Sequence, residues 1–170
     1  KTFINLPKQI SRIDKIVLRA EALMTYEQFD KIKSTPEGAD YKNPRNLCSG
    51  SVRQLNSEIT AKRKIRAVVF EWVNAPDGYT KEEQLDFCKN LGFEVVSSLK
   101  VSVESMEEVV KAFNDTVDKL MYPTDGLVLT FNDVAYGRGL GVTAKTPKHS
   151  IAYKWQDEVA ETELLGIEWQ

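Results

Sequence analysis

Hydrophobic and polar residues alternate along several short runs of the chain, and this period of two predicts β-strands. The run KIVLRAEALM, residues 15–24, is the clearest case, because most of its apolar side chains fall on one face while Val17, Arg19 and Glu21 fall on the other. Further strands are predicted at residues 65–73, 93–101, 122–131, 150–155 and 161–170.

Helices are predicted where a hydroxyl residue is followed, three positions later, by an acid or an amide, as in a capping box. Such patterns begin at Thr25, Thr80 and Ser105. The predicted helices cover residues 25–34, 80–91 and 105–120. Residues 45–55 are predicted as a weaker helix because Gly50 interrupts them. The run YGRGLG, residues 136–141, matches neither phosphate-binding glycine motif and is predicted to be a flexible surface loop.

Strands and helices are mixed without regular alternation, which predicts an α+β fold with mostly antiparallel sheets and flanking helices. The 170 residues suffice for one domain with a core. No apolar run has the length of a membrane span, and the first residues lack the apolar centre of a signal peptide. We therefore expect a cytoplasmic protein in which Cys48 and Cys88 are reduced thiols, not zinc ligands or a disulfide.

Charge is unevenly distributed along the chain. Residues 42–66 contain seven basic side chains and a single acidic one, Glu58, although the whole chain has a net charge of -2. A basic segment on an acidic chain is typical of a surface that binds a polyanion. A solvated face balanced by acidic neighbours explains the same composition, and charge alone leaves both interpretations open.

Several residues could carry chemistry, but each has a simpler explanation when taken alone. Glu21 lies within a predicted strand, and a carboxylate is expected there if its side chain faces solvent. Asp125 precedes glycine, as in many hairpin turns. Lys154 lies in an apolar strand from which its ammonium can reach water. Arg45 and Arg53 are eight positions apart, a spacing that would place two cations on one side of a helix.

The order of these motifs is more informative than any of them alone. RAE is followed by NPRNLCSGSVRQLNSEITAKR, an aromatic strand, DGLVL and LGVTAKTPKHSIAYKW. This order resembles the adenylation domain of bacterial NAD-dependent DNA ligases from about Lys15 onward. The resemblance implies a DNA ligase/mRNA capping enzyme nucleotidyltransferase-like fold. It also implies a division of the chain into a linker or partial strand (1–14), the C-terminal majority of the domain (15–160) and the start of an OB-fold (161–170).

The resemblance implies a covalent nucleotidyl transfer. In that family a lysine amine attacks the α-phosphate of NAD and releases nicotinamide mononucleotide. The AMP then moves to the 5′-phosphate of a DNA nick, and the 3′-hydroxyl displaces it. NAD, Mg²⁺ and nicked duplex DNA are the implied partners of a monomeric enzyme, with zinc only in domains outside this chain.

Individual site residues follow from the same resemblance. Glu21 matches the glutamate that binds the ribose, and Lys154 matches the lysine that contacts the α-phosphate. Asp125 matches the DG aspartate linked to metal or nucleophile activation. Val128 matches an apolar wall of the adenine pocket, and Phe70 matches the aromatic residue that stacks on adenine, where the family usually has tyrosine.

Two arginines match DNA-binding residues of the family, and two features of the sequence differ from the family pattern. Arg45 and Arg53 match arginines that grip DNA phosphate near the nick. Thr130 stands where the family usually has a lysine that contacts the base. The nucleophile motif K-x-D-G is absent, because Ala75 and Pro123 stand two positions before the two DG pairs. We therefore expect the nucleophile upstream of this chain and expect the chain alone to be inactive.

Two alternatives stay open at this point. An ATP-dependent ligase or capping-type nucleotidyltransferase would use the same chemistry, but the long NPRN…ITAKR block favours the NAD-dependent family. A catalytically inactive relative that only binds DNA or nucleotide would account for Thr130.

Overall fold

The computed structural model describes residues 2–11, 14–154 and 161–168, with Asp118 described in its backbone only. The elements along the chain are β1 Leu18–Leu23, α1 Tyr26–Lys33, α2 Pro44–Val52, α3 Ser57–Lys62, β2 Arg66–Trp72, α4 Lys81–Asn90, α5 Met106–Asn114, a 3-10 turn Val117–Lys119, β3 Gly126–Thr130, α6 Val134–Gly139 and β4 Ser150–Lys154. In the described part of the chain they form two antiparallel sheets with helices, which confirms the predicted α+β class.

The first sheet pairs β1 with β2 in an antiparallel register that contains one irregularity. Arg19 lies opposite Glu71, but the next residue, Ala20, lies opposite Val69. Phe70 therefore has no opposite residue in β1 and occupies the position of a β-bulge. Bulges change the direction of a strand locally and occur frequently beside active sites.

Two apolar clusters support this sheet. One is formed by Met24, Phe29, Leu47, Cys48 and Ile65, where α1 and α2 meet the strands. The other is formed by Val69, Trp72, Ala75 and Cys88 beneath α4. Within the second cluster the rings of Trp72 and Phe87 stack at 4.4 Å. The core therefore fixes α2 against β1 and α4 against β2, the two helices that carry side chains toward the candidate site.

The second sheet pairs β3 with β4, and the pairing requires a glycine. Gly126 lies opposite Lys154 and Thr130 lies opposite Ser150. A Cβ atom on Gly126 would come within 2.1 Å of the Tyr153 carbonyl oxygen and 2.9 Å of Lys154 Cα. Both neighbours are backbone atoms of the partner strand, so no side-chain movement could relieve the clash. The Asp-Gly pair is therefore the start of a closely packed strand, not the turn of a hairpin.

The predicted capping boxes have three different outcomes. At Thr80 both halves form, since its hydroxyl accepts from the Glu83 backbone and the Glu83 carboxylate accepts from the Thr80 backbone. Thr25 accepts a hydrogen bond from the backbone of Gln28. Ser105 makes no side-chain cap, and its helix ends at Asn114, before the predicted boundary.

Three sequence predictions need correction, and one helix was not predicted. Residues 93–101 do not form a strand, because only Val95 makes a bridge, to Val69. Residues 136–141 are not a loop throughout: α6 ends at Gly139, and Asp133 caps its start by accepting from the Tyr136 backbone. The sequence did not predict α3. Residues 161–168 form no strand and are exposed; residues 169–170 and Trp155 lie outside the described residues.

Candidate functional site

All of the residues predicted to form the site are exposed. They come from β1, β2, α2 and the β3–β4 sheet: Glu21, Phe70, Arg45, Arg53, Asp125, Val128, Thr130 and Lys154. The site is thus an open surface. A groove of about 560 Å³ lies elsewhere, at the start of α1, and contains none of these residues.

The pairing of β3 with β4 brings the backbone of Asp125 close to that of Lys154. Asp125 directly precedes Gly126, whose register partner is Lys154. The close backbone approach at Gly126 brings the two strands together at this point. The backbone positions of Asp125 and Lys154, far apart in the sequence, therefore lie close together at one end of the second sheet.

Asp125 is also paired with an arginine from the basic segment. Arg45 Nη1 donates a hydrogen bond to Asp125 Oδ2, which joins α2 to the start of β3. Both side chains are largely exposed, at 70% and 65%. An exposed ion pair contributes about 0–1 kcal/mol, so this pair can open at little energetic cost. Sequence reasoning assigned the two residues to different tasks and did not predict their contact.

Val128, Thr130 and Lys154 share one face of the second sheet, since alternate residues of a strand and directly opposed residues lie on the same side. Val128 presents an apolar surface there and is 69% exposed. The Thr130 hydroxyl lies 2.8 Å from Ser150 Oγ and donates to the His149 carbonyl oxygen at 3.2 Å. Thr130 thus links the two strands.

Glu21 and Phe70 lie on the first sheet. Glu21, in β1, is opposite Val68 of β2, and its charge acts on the buried thiol of Cys48. Burial, with a smaller effect of the Glu21 charge, raises the pKa of Cys48 to about 11. This thiol is therefore protonated at neutral pH. The ring of Phe70 is 40% exposed at the bulge.

A network around Glu94 joins the Asp125 segment to the first sheet. Its carboxylate accepts from Asn5 Nδ2 at 2.7 Å, from Arg66 Nε at 2.8 Å and from the Tyr122 hydroxyl at 2.6 Å. Partial burial acts to raise the pKa of Glu94, but these hydrogen bonds lower it overall. Burial, followed by the Glu94 hydrogen bond, raises the pKa of Tyr122 to about 12. Tyr122 precedes Asp125 by three residues, so the network fixes where the DG strand begins.

Lys81 makes a further connection, which sequence reasoning missed. Its Nζ donates to the Phe70 carbonyl oxygen at 2.8 Å, and its backbone N–H donates to the Asn132 carbonyl oxygen at 2.8 Å. The sequence predicted only a capped helix over residues 80–91, without a role for Lys81. The register irregularity that exposes the Phe70 carbonyl is not visible in the sequence.

Only some of the basic side chains in residues 42–66 are exposed and accessible to a polyanion. Arg63 is buried, and its Nη1 donates to Ser51 Oγ at 2.9 Å. Arg66 forms an ion pair with Glu94. The remaining basic side chains are exposed: Lys42, Arg45, Arg53, Lys62 and Lys64. Arg53 is the C-cap of α2, so Arg45 and Arg53 mark opposite ends of one helix.

The described residues contain no cluster of three or more carboxylate, histidine or cysteine ligands for a metal ion. Asp125 is a single carboxylate, which suits Mg²⁺ only where substrate phosphates supply the other ligands. None of the described helices has the length and hydropathy of a membrane span.

Similarity to known proteins decides which family this arrangement represents. The family model of the NAD-dependent DNA ligase adenylation domain matches residues 1–158, most of the chain. The chain belongs to this family. The family match agrees with the preference for NAD-dependent over ATP-dependent relatives.

Curated DNA ligases share the similarity over nearly the whole chain. A DNA ligase of Ruminiclostridium cellulolyticum is 45% identical over 99% of the chain and 26% of its own length. One of Lachnoclostridium phytofermentans is 45% identical over 99% of the chain and 27% of its length. One of Mycoplasmopsis agalactiae is 37% identical over 96% of the chain. The chain thus spans about a quarter of these relatives, as an adenylation domain within a larger ligase would.

Proposed function

We propose that this chain is part of an NAD-dependent DNA ligase, in which it binds NAD and supports formation and use of an enzyme-linked AMP. The observation that carries the proposal is the register of the second sheet, which sets Lys154 opposite Gly126, beside the Asp125 position and on the same face as Val128. Family membership supplies the reaction class, and this register supports the choice of these side chains. We extend the proposal to the nucleotidyltransferase-like fold of the family.

Lys154 and Asp125 serve the phosphate in this proposal. Phosphoryl transfer needs positive charge placed beforehand around the oxygens that gain charge in the transition state. The Lys154 ammonium supplies such a charge for the α-phosphate. Mg²⁺ would neutralise phosphate charge when bound, with Asp125 as the carboxylate that holds it, directly or through water. Opening the Arg45 ion pair makes that carboxylate available.

The nucleoside is held by residues of both sheets. We propose that Phe70 and Val128 provide the flat apolar surfaces that stack against adenine, and that Glu21 accepts hydrogen bonds from the ribose hydroxyls. Thr130 lies on the Val128 face but uses its hydroxyl to join β3 to β4. Contact with the base therefore depends more on stacking and less on a charged side chain than the family pattern implies.

Arg45 and Arg53 are proposed to bind phosphates of nicked duplex DNA. Both are exposed on α2, within the segment that keeps most of its basic side chains at the surface. Phosphate contacts of this kind position a protein on DNA and give affinity that falls with salt. Exposed lysines of the same segment would extend the contact.

Several features of the longer enzyme belong to the proposal. The chain contains no K-x-D-G motif, so we propose that the nucleophilic lysine lies upstream and that residues 1–170 alone do not form an AMP adduct. We place the entry to an OB-fold at residues 161–170, and the remaining domain boundaries at 1–14 and 15–160. A monomeric, cytoplasmic enzyme completes the proposal.

Labelled NAD tests the function. The longer ligase that contains this chain should form a stable AMP adduct, visible after denaturing electrophoresis. Lys154→Ala should reduce the rate of adduct formation by a factor of about 100 or more, because it removes transition-state charge stabilisation. Lys148→Ala is the matched control, since Lys148 is exposed and lies outside β4. Equal adduct formation in wild type and Lys154→Ala would refute the role of Lys154.

A catalytically inactive relative is the second candidate, and one observation favours it. Thr130 stands at the expected lysine and is occupied by cross-strand hydrogen bonds. If the wild-type longer protein binds nicked DNA but forms no adduct with NAD, this second function replaces the first.

A further inference from the structure

The carbonyl group of Phe70 has an unusual partner. Phe70 lies at the irregularity in the register between β1 and β2, so it has no paired residue in β1. Its carbonyl oxygen instead accepts from the Lys81 ammonium at 2.8 Å. A hydrogen bond from a charged donor is stronger than one between neutral groups. The bulge that presents the Phe70 ring is thereby fixed by a side chain from another element.

The position of Lys81 is electrostatically unfavourable for a positive charge. Lys81 is the first residue of α4, where the helix dipole disfavours a positive charge. Its side chain is half-buried, and burial lowers the pKa of Lys81 despite the opposing charge of Glu71. The contact with the Phe70 carbonyl offsets part of this cost.

Lys81 also reaches the second sheet. Its backbone N–H donates to the Asn132 carbonyl oxygen, and the next backbone N–H, of Glu82, donates to Asn132 Oδ1 at 3.0 Å. Asn132 lies two residues after the end of β3, the strand that carries Val128. One residue therefore contacts both the Phe70 bulge and the segment that follows β3.

We propose that Lys81 is a positioning residue for the nucleotide site, fixing the Phe70 ring relative to the apolar face of β3. The inference rests on the proposed function, in which Phe70 and Val128 form two walls around adenine. Its consequence is specific: loss of the ammonium weakens binding of the adenine nucleotide and leaves the chemistry at the phosphate intact.

The test uses the longer ligase that contains this chain and measures adduct formation over a range of NAD concentrations. Lys81→Met keeps the aliphatic stem and removes the donor. It should raise KM for NAD roughly three- to tenfold with kcat within about twofold, because the loss concerns ground-state positioning. Lys81→Arg keeps a charged donor and should restore most of the affinity.

Two controls separate positioning from general destabilisation. Lys89→Met removes an exposed lysine from the same helix and should leave KM unchanged. Leu85→Val weakens the packing of α4, since Leu85 is buried, and should lower stability without raising KM. A rise in KM for Leu85→Val equal to that of Lys81→Met would overturn the positioning role.

The outcomes distinguish the two proposals. If wild type forms no adduct, the proposed function itself fails. If wild type is active and Phe70→Ala raises KM but Lys81→Met does not, only the role of Lys81 is refuted. If Lys81→Met lowers kcat at unchanged KM, Lys81 acts at the phosphate and the inference is wrong.

Discussion

Replacing Gly126 by alanine tests the central geometric claim about the site. The added Cβ would meet the Tyr153 carbonyl oxygen at 2.1 Å and Lys154 Cα at 2.9 Å, well inside van der Waals contact. Because both atoms belong to the backbone of β4, the strands themselves must separate. Inserting one methyl group into a rigid contact costs typically 1–3 kcal/mol, and a backbone clash belongs at the upper end, about 3 kcal/mol.

Gly139 provides the matched control. It is the last residue of α6, and a Cβ there would meet no atom within 4 Å. Gly139→Ala should be neutral or more stable by up to about 0.5 kcal/mol, because alanine restricts the unfolded chain and favours the helix. Both substitutions add the same methyl group, so their difference isolates the packing at Gly126.

Urea unfolding followed by tryptophan fluorescence and circular dichroism measures the difference. Gly126→Ala should lower the free energy of unfolding by about 3 kcal/mol relative to Gly139→Ala, visible as a lower midpoint at unchanged slope. For a protein of this size the melting temperature should fall by about 6–12 °C. Equal midpoints for the two variants would refute the claim that β3 and β4 require glycine here.

Two further predictions concern the Glu94 network and the basic face. Tyr122→Phe should destabilise the fold by about 1–2 kcal/mol at pH 7, measured by urea unfolding, because Glu94 loses a donor. Since the folded-state pKa of Tyr122 is raised to about 12, this difference is present below its unfolded value and should vanish as pH rises through 12. A difference that persists above that range would contradict the assignment. Arg53→Glu should weaken binding of nicked DNA and reduce the slope of log affinity against log salt by about 0.9, measured by fluorescence anisotropy. Lys89→Glu, on α4, should leave the slope unchanged, and an unaltered slope in Arg53→Glu would argue against a phosphate contact there.

Sequence patterns predicted those parts of the fold that depend on local rules. The period of two located β1 and β2, and the Thr80 capping box located the start of α4, since hydroxyl and carboxylate there satisfy orphan backbone donors. The pattern at Ser105 was formally the same, yet its side chain makes no cap. A motif of four residues does not contain the backbone geometry that decides between these outcomes.

Other features depend on contacts distant in the sequence, and no local pattern carries them. Residues 93–101 have a strand-like composition, but only Val95 meets an available partner. The ion pair between Arg45 and Asp125 joins residues 80 positions apart. The bulge at Phe70 depends on the relative register of two strands. For these features the sequence showed the type of residue, but it did not show which residue would be its partner.

The Arg45–Asp125 ion pair has a thermodynamic consequence for the order of events in the proposed reaction. In the proposed function, the closed pair would withhold Arg45 from DNA phosphate and Asp125 from a metal–phosphate ligand. A ligand that draws either residue away releases the other, so binding at the nucleotide and binding at the nick are coupled with positive sign. Coupling free energy is reciprocal, and each ligand must strengthen the other by the same factor. Because the pair is exposed, that factor is at most about fivefold, from the ~1 kcal/mol that such pairs contribute. In the proposed function, a weak surface ion pair can thus favour DNA binding by the form of the enzyme that already holds its nucleotide.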